Sequence, residues 1–582
     1  MGPVIGIDFG TTNSLCAFLD GDRPTIIPNA RGQRATPSVV AVTAKGEYLV
    51  GESAKNQALV NPENTVAGVK RLLGSTGLLS MGGKGWRPEE LVAMILGSLR
   101  QDAERHLGRE VGEAVVTAPA HFSDRERRAL VEAGRLAGLE ILRIVNEPTA
   151  AAVARAWNAL GKAESPGRGP STILVYDFGG GTFDVTLLEQ DGSECAVLAS
   201  RGDGRLGGAD LDAELRRRAA AAFKAEHGLE VDEDRFLAQQ LTEAAERAKI
   251  ELSEREEAVI GIPFALARGC VVHPSLALSR DSFEEIARPY VERSLELARR
   301  ALEDARIPAS SVDALVLSGG SSRIPLVRRL LAESLGLEPE GGINPEEIVA
   351  LGAAAWAGLA AGTGRLRVRD VVSRTYGVEI DGGSFVPLIR KNSPVPASRS
   401  RVFTTVQDGQ DSVEIHILQG EGEKASENLS LGRFLLAGVR PAQAGEPRIK
   451  VDFSIDESDM LRVGARDLDT GAEQAISIAD FDRGASADGR EELAVKAGLL
   501  ADRLDELEAG LQLERGLRAE LDEIRARARA AARGDAPASS SLGELRLLKA
   551  ELEGLVGELL ARRSERRRAE PTGAARGAGA PR

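Results

Sequence analysis

The chain has 582 residues, of which 42% are hydrophobic and 28% are charged, as is usual for a globular protein of several domains. Its formal net charge of −14 argues against nucleic acid as the main partner, because binding phosphates requires an excess of Lys and Arg. No apolar run approaches the ~20 residues of a membrane-spanning helix, and the three cysteines form no CxxC pair, which disfavours a zinc site or a disulfide framework.

The N-terminal part alternates apolar strands with amphipathic helices, as expected of an α/β region. No basic and apolar leader precedes the first strand, so we expect no signal peptide and a cytoplasmic protein. Predicted strands cover residues 4–7, 115–117, 173–176 and 314–317, and predicted helices cover residues 89–106, 125–137 and 289–304. This pattern ends near residue 362, and residues 366–370 are a predicted linker segment.

From residue 376 the pattern changes to short alternating strands separated by turns, which predicts a compact β-sandwich. Asp381, Gly382 and Gly383 are a hairpin signal between its first two strands. The predicted strands cover residues 376–380, 384–389, 402–406, 413–418, 449–455 and 461–465. After residue 486, leucines at helical spacing predict two antiparallel helices, and the Arg-, Gly- and Ala-rich residues 562–582 are predicted to be disordered.

The strongest chemical signal is a repeated hairpin. Residues 6–14 read GIDFGTTNS and residues 176–184 read YDFGGGTFD, so each copy has an apolar strand ending in Asp, a turn of Gly and Thr, and a second strand. Glycines let backbone N–H groups approach phosphate oxygens, and a carboxylate at the strand end can hold hydrated Mg²⁺. Either copy alone is compatible with an ordinary hairpin, but two copies with one Asp-Phe-Gly core predict a clamp around a single nucleotide.

Two further motifs are weaker when each is taken alone. The turn SGGSSR at residues 318–323 offers a guanidinium that can stack on adenine, although a surface arginine is the plainer interpretation. Glu246, Lys249 and Ser253 share one helical face, which either contacts a ribose and base or is simply solvated. The GxGxxG match at residues 202–207 is isolated, and no Walker A or His-Arg-Asp motif occurs, which disfavours a dinucleotide enzyme and a protein kinase.

Together these stretches resemble the heat-shock protein 70 chaperone family in its DnaK-type form. The resemblance covers roughly residues 4–480 and rests on GIDFGTTNS, NPENTVAGVKRLLG, VVTAPAHF, RIVNEPTAAAVA, VYDFGGGTFDVTLL, GDGRLGGADLD, ERAKIELS, LSGGSSRIP, INPEEIVALGAA, KNSPVP, FTTVQDGQ, IHILQGE and SLGRFLL. It implies a multidomain chain with an actin-like, two-lobed α/β ATPase domain at residues 1–362, a linker at 363–375, an all-β peptide-binding sandwich at 376–485, a helical lid at 486–561 and a disordered tail at 562–582.

The resemblance also implies the cofactors ATP or ADP and Mg²⁺, with K⁺ as a further candidate. Asp8, Asp177 and Glu147 would hold the metal ion through water. Lys70 would contact the transferred phosphate and position the attacking water, and Thr182 completes the predicted catalytic set. The phosphates would be bound by Gly10, Thr11, Thr12, Asn13, Lys70, Gly179, Gly180, Gly181 and Thr182. Adenosine would be held by Glu246, Lys249, Ser253, Gly319, Gly320, Ser321, Arg323 and Glu346.

In the sandwich, the resemblance implies a pocket for a leucine-like side chain of an extended peptide, whose backbone hydrogen-bonds to the protein. The implied peptide-binding residues are Val378, Phe403, Val406, Gln410, Val413 and Ile415. A J-domain co-chaperone would meet Arg143, Asn146 and Thr149, and a nucleotide-exchange factor is also expected. We expect a monomer with no nucleic-acid or membrane partner.

Four features depart from the family pattern. The segment at residues 75–86 is short, which puts the usual exchange factor in doubt, and the lid is short, with an Arg-rich tail. The linker reads LRVRD at residues 366–370, and burying its two arginines would be costly unless they are paired, so weakened or rearranged coupling is expected. Asp381 stands where a large apolar residue usually arches over the peptide, and lies either beside the peptide or in the hairpin turn.

The sequence therefore predicts an ATP-dependent chaperone, in which nucleotide binding and hydrolysis control the binding and release of extended hydrophobic segments during protein folding and the stress response. A specialised chaperone for a narrow client, such as an iron–sulfur scaffold protein, is an alternative within that class. A sugar-kinase-like enzyme and a filament-forming ATPase share the nucleotide hairpins, but neither needs the sandwich and helices that follow residue 376.

Overall fold

The computed structural model describes residues 2–161, 170–362 and 366–477, together with residues 518, 521, 522, 524–527 and 529. The chain separates into two compact units, residues 1–476 and 477–582. The residues described beyond 477 are helical, and almost all of the predicted lid and tail, residues 486–561 and 562–582, lies outside the described residues. Within the part of the chain that is described, no helix is both long and apolar enough to cross a membrane.

The first lobe is built around a mixed β-sheet. Its elements are β1 (Val4–Phe9), β2 (Asn13–Asp20), β3 (Arg23–Ile27), β4 (Thr36–Pro37), β5 (Val39–Val42), β6 (Tyr48–Val50), α1 (Glu52–Ala58), β7 (Thr65–Ala67), β8 (Leu79–Met81), β9 (Lys84–Trp86), α2 (Pro88–Leu107), β10 (Glu113–Ala118), α3 (Asp124–Leu136) and β11 (Glu140–Asn146). The strand order is β11-β10-β1-β2-β3, with β4 paired to β2. β1 and β2 form an antiparallel hairpin, whereas β10 runs parallel to β1.

The second lobe repeats this arrangement. It contains α4 (Glu147–Gly161), β12 (Ser171–Phe178), β13 (Phe183–Asp191), β14 (Glu194–Asp203), α5 (Gly208–His227), α6 (Arg235–Glu254), β15 (Glu257–Gly261), β16 (Ala265–Ala267), β17 (Cys270–Val272), β18 (Ser275–Ser279), α7 (Arg280–Ala305), β19 (Ala314–Ser318), α8 (Pro325–Leu335), α9 (Ile348–Ala360) and β20 (Arg367–Arg369). The strand order is β19-β12-β13-β14-β20. Here β12 and β13 form the antiparallel hairpin and β19 runs parallel to β12.

Two helices lie between the sheets and hold the lobes together. α4 and α9 form one apolar cluster with strands of both sheets, and α9 is buried at almost every position, as expected of a helix that is apolar all round. Close approach requires glycine here, because a Cβ at Gly352 would lie 1.9 Å from the carbonyl oxygen of Ala150. The outer face of each sheet packs on a separate apolar core.

The sandwich consists of two four-stranded sheets. Its strands are β21 (Tyr376–Ile380), β22 (Ser384–Ile389), β23 (Ala397–Phe403), β24 (Ser412–Gln419), β25 (Leu429–Ala437), β26 (Ile449–Ile455), β27 (Leu461–Asp467) and β28 (Glu473–Ser477). One sheet has the order β22-β21-β24-β25 and the other β23-β26-β27-β28. Asp381 begins the turn between β21 and β22, in which Gly382 and Gly383 have positive φ angles of 80° and 74°, so the turn interpretation of Asp381 is confirmed.

The structure corrects the extent of two predicted elements and adds a strand that the sequence did not predict. α7 begins at Arg280 rather than at residue 289, because Ser279 caps it by accepting the Ser282 N–H, and Pro289 lies inside the helix. The strand predicted at residues 402–406 covers Ala397–Phe403, which leaves Val406 in the following loop. Strand β25 lies outside the predicted strands.

The predicted linker segment is a docked strand. β20 pairs in parallel with β14 at the edge of the second sheet. Its side chains alternate, so Leu366 and Val368 pack on the core between the lobes. The side chains of Arg367 and Arg369 are 83% and 69% exposed and lie near Glu194. The expected cost of burying these arginines does not arise, because both guanidinium groups face outward.

We expect Gly352→Ala to destabilise the protein. Alanine favours a helix over glycine by about 1 kcal/mol, but at this position a Cβ would collide with backbone, at a cost of about 1–3 kcal/mol. Gly97 in α2 is a matched control, because a Cβ there meets nothing within 4 Å. Thermal unfolding should therefore give a lower midpoint for Gly352→Ala and an equal or higher one for Gly97→Ala. Equal midpoints for Gly352→Ala and the unmodified protein would contradict close packing of α4 on α9.

Candidate functional site

A deep cleft of ≈ 660 Å³ opens between the two lobes. All residues predicted to bind phosphate, metal or adenosine line this cleft. They are Asp8, Gly10, Thr11, Thr12, Asn13, Lys70, Glu147, Asp177, Gly179, Gly180, Gly181, Thr182, Glu246, Lys249, Ser253, Gly319, Gly320, Ser321, Arg323 and Glu346. Residues more than 300 positions apart in the chain thus meet around one cavity.

The two hairpin turns meet at the base of the cleft. A Cβ added at Gly180 would lie 2.3 Å from the Thr12 hydroxyl, and one at Gly181 would lie 2.3 Å from the Thr11 hydroxyl. A larger residue at either glycine would therefore push the turns apart. The turns combine backbone N–H groups with hydroxyl groups, and this donor set suits phosphate oxygens.

A buried ion pair joins two of the predicted catalytic residues. Lys70 lies in a short 3₁₀ turn, and its Nζ is 2.6 Å from Oε1 of Glu147 at the start of α4. The side chains are only 3% and 9% exposed. Burial raises the pKa of Glu147, and Lys70 opposes that rise. An amine and a carboxyl group are thus held together beside the phosphate loops.

Negative charge accumulates around this ion pair. Burial, and then the charge of Glu147, raise the pKa of Asp8 to about 7. The pKa of Asp177 is raised well above its usual value by burial and by the neighbouring carboxylates of Glu147, Asp184 and Asp8. Lys70 alone is a poor match for so many carboxylates. A bound cation would relieve this repulsion.

The donor set fits a magnesium ion held with the nucleotide. It consists of carboxylate oxygens, the ligands that Mg²⁺ prefers, and Mg²⁺ keeps several of its waters. Among the described residues, no group of three or more His, Cys, Asp or Glu side chains is arranged to hold a metal ion. Asp8, Asp177 and Glu147 are therefore suited to hold Mg²⁺ through water, with the phosphates supplying further ligands.

The predicted adenosine residues also line the cleft, and several are held by ion pairs. Lys249 lies 2.6 Å from Asp212, and Arg323 lies 2.9 Å from Glu346. Glu246 lies 3.0 Å from Lys55 of the first lobe, so this pair bridges the cleft. Each charged side chain is thereby oriented before any ligand arrives.

Several residues of the site were not singled out in the sequence. The Arg71 guanidinium donates to the carbonyl oxygen of Gly181 and pairs with Asp210, which ties the first lobe to the second phosphate turn. Asp184 is buried and contacts His121. Their positions beside the recognised motifs could have indicated them in the sequence, because Arg71 follows Lys70 and Asp184 ends the second hairpin motif.

The predicted peptide-binding residues lie on both sheets of the sandwich. Val378 faces Ile417 across β21 and β24. Val413 and Ile415 lie four and two residues before Ile417 in β24, so all of these residues share one sheet face. Phe403 ends β23 on the other sheet, opposite the buried Ile449. Val406 and Gln410 lie in the loop between these strands, where the Val406 N–H donates to the Gln410 side chain at 3.2 Å.

The residues predicted to meet a J-domain are engaged by the linker and the sandwich. Asp370 accepts hydrogen bonds from Asn146 at 3.2 Å and from Thr149 at 3.0 Å. Arg143 pairs with Glu457 of the sandwich at 2.6 Å and stacks on the Trp356 ring at 4.3 Å. This surface therefore joins the end of the first lobe and the start of α4 to the linker and the sandwich.

A protein-family model matches most of the chain. The model described as Hsp70 protein matches residues 4–79 and 76–530 of the chain. The match begins at β1, includes both glycine-rich hairpin turns and the Lys70–Glu147 ion pair, and continues through the sandwich.

We expect the nucleotide-free protein to lose stability as pH rises, in part because of Asp8. Its folded pKa of about 7 exceeds the ordinary value of 3.8, so between these pH values the folded state holds a proton that the unfolded state releases. In EDTA, the melting temperature should therefore fall from pH 5 to pH 8. Asp8→Asn should show a smaller fall, and at pH 8 it should melt at least about 2 °C above the unmodified protein.

The exposed Asp20 provides the control for this experiment, because Asp20→Asn removes the same charge on the surface. Its melting curve should follow that of the unmodified protein at both pH values. Identical pH dependence in Asp8→Asn and the unmodified protein would contradict a repulsive role for the Asp8 carboxylate.

Proposed function

The chain belongs to the Hsp70 protein family, and from this we propose that it binds and hydrolyses ATP in the cleft and uses the cycle to control the gripping of extended polypeptides by its sandwich. Members of this family are chaperones with ATPase activity. The observation that supports the proposal most directly is the pair of glycine-rich hairpin turns that face each other across one cleft.

ATP would bind with its phosphates between the two turns. Their backbone N–H groups and the hydroxyls of Thr11, Thr12 and Thr182 would donate to the phosphate oxygens. The adenosine would extend toward Glu246, Lys249 and Arg323, where a guanidinium can stack on the base. Mg²⁺, when bound, would neutralise phosphate charge, and K⁺ is a candidate for further neutralisation.

Hydrolysis requires a water held in line with the terminal phosphate. Lys70 would contact that phosphate and stabilise the charge that develops on it, and Glu147 would orient the water through its carboxylate. The buried ion pair at 2.6 Å supports this assignment, because it fixes both groups at the turn that would hold the phosphates. The proposed catalytic set is Asp8, Lys70, Glu147, Asp177 and Thr182.

Coupling to the sandwich would run through the start of α4. Asn146 and Thr149 hold Asp370 of the linker, and both lie within two residues of Glu147. The sandwich is also attached to α3, where Asp124 accepts the Leu461 N–H and Arg128 donates to the Leu461 carbonyl oxygen, both at 2.7 Å. A movement of Glu147 on binding ATP would therefore reach the linker directly.

We propose residues 1–362, 363–375, 376–485 and 486–561 as the ATPase domain, linker, peptide-binding sandwich and lid. The clients would be unfolded or extended polypeptides, and a J-domain co-chaperone would act at Arg143, Asn146 and Thr149. These residues already bind the linker and Glu457, so such a partner would act where the domains meet. An exchange factor, a monomeric state and a cytoplasmic role in the stress response complete the proposal.

We expect Lys70→Ala to abolish ATP hydrolysis while leaving ATP bound. Removing the ammonium group takes away stabilisation of the developing phosphate charge, which lowers the single-turnover rate by about 100-fold or more. Calorimetry with Mg²⁺ and ATP measures binding, and quench experiments measure turnover. The exposed Lys84 on β9 is the control, and Lys84→Ala should hydrolyse at the unmodified rate.

The two possible failures of this test are distinct. If the unmodified chain binds no nucleotide in the presence of Mg²⁺, the proposed function is wrong. If nucleotide binds but Lys70→Ala retains the full rate, only the role assigned to Lys70 is refuted.

We expect Val413→Phe to weaken peptide binding by about tenfold, because the larger ring fills space that a leucine-like side chain would occupy. A fluorescently labelled, leucine-containing extended peptide reports the affinity. Val402→Phe makes the same change at a site on β23 that is 52% exposed, and should leave the affinity unaltered. Equal affinities for both variants would show that the pocket is misplaced.

A further inference from the structure

The two hairpins differ in the residue that faces the aspartate at the end of the first strand. Asp8 in β1 faces Leu15 in β2, whereas Asp177 in β12 faces a second acid, Asp184, in β13. Residues directly opposite in an antiparallel pair have Cβ atoms about 5 Å apart and share a face, so two like charges are destabilising there. The second hairpin therefore carries a carboxylate that the first lacks, and this carboxylate needs a compensating partner.

His121 provides that partner. Its Nδ1 lies 3.2 Å from Oδ1 of Asp184, and the two side chains are only 10% and 1% exposed. A carboxylate can only accept, so Nδ1 is the protonated nitrogen in this contact. The contact crosses the lobes, because His121 follows β10 of the first lobe and Asp184 lies in the second.

The imidazole is held in place from several sides. Phe122 meets it edge-on, with ring centroids 6.1 Å apart. The backbone of Gly204 lies against the opposite nitrogen, and a Cβ there would be 2.8 Å from Nε2. The His121 carbonyl oxygen accepts a hydrogen bond from Arg374, near the end of the linker, at 3.1 Å. The ring therefore has little freedom to leave Asp184.

The second oxygen of Asp184 is buried and has no hydrogen-bond partner in the described protein. Burial is the main cause of the raised pKa values of Glu147 and Asp177, and the charge of the nearby Asp184 carboxylate adds to both rises. A carboxylate with one oxygen fixed and the other free is suited to accept a hydrogen bond from water at a defined position.

We infer that His121 is a positioning residue for ATP hydrolysis, which holds Oδ1 of Asp184 so that Oδ2 faces the catalytic water network. His121 can have this role only if the chain hydrolyses ATP as proposed above. His121 is not among the residues that line the cleft, so in this assignment it touches neither the phosphates nor the adenosine. Losing it should therefore slow the chemical step without weakening nucleotide binding.

The test compares three variants of the full chain. His121→Leu removes the donor, whereas His121→Asn retains an N–H donor near the position of Nδ1. Gly204→Ala displaces the ring from its other side without altering His121 or Asp184. Single-turnover hydrolysis reports the chemical step, calorimetry with Mg²⁺ and ATP reports binding, and thermal melting reports the fold.

His121→Leu should hydrolyse about tenfold more slowly, as expected for the loss of a hydrogen bond to a charged group. His121→Asn should recover most of that loss, and Gly204→Ala should fall between them. All three should bind ATP with affinities within about twofold of the unmodified chain. In an Asp184→Asn background, His121→Leu should have little further effect, because the two residues act as one unit.

Several outcomes would overturn the inference. Equal rates for His121→Leu and the unmodified chain would show that the contact does not serve hydrolysis. Equal losses in His121→Leu and His121→Asn, with parallel drops in melting temperature, would assign His121 to packing alone. Failure of the unmodified chain to hydrolyse ATP would instead refute the proposed function.

Discussion

The repulsion among buried carboxylates at the base of the cleft is the constraint on which the rest of the site depends. Asp8, Glu147, Asp177 and Asp184 lie in one region with Lys70 as the buried cation, and burial raises the pKa of the first three. Such a site is incomplete without added positive charge. Binding a cation together with a nucleotide would relieve this repulsion, and that relief would contribute to the free energy of binding.

The fold resolves this constraint by bringing the carboxylates from separate elements. Each hairpin supplies its acid at the end of a buried strand, and Glu147 begins the helix between the sheets. The charges thus approach only when the lobes pack on α4 and α9. The distances between these carboxylates depend on the relative orientation of the two lobes. A nucleotide bound between the lobes would therefore change that orientation if it changed those distances.

The parts of the site that the sequence predicts are those that depend on local geometry. The phosphate turns could be recognised because glycine, threonine and aspartate stand at fixed positions along one hairpin. The His121 contact could not, because it requires the register of β12 with β13 and the approach of two lobes. The outward direction of Arg367 and Arg369 could not be predicted for a related reason. It depends on the pairing of the linker with β14 as an edge strand, whose side chains alternate between two faces. The lid and tail predictions remain predictions.

The interface between the first lobe and the sandwich follows the same electrostatic logic as the cleft. Burial raises the pKa of Asp124 and Asp370, and raises that of Asp459 to about 6, while Arg127 and Arg128 oppose these shifts. A buried ionic interface gains little net stability, because desolvation offsets much of the attraction. An apolar interface of the same extent would hold more firmly and release less readily. Charged groups that are satisfied when docked and hydrated when separated therefore suit an interface that can open and close, and Asn146 of this interface lies one residue from Glu147.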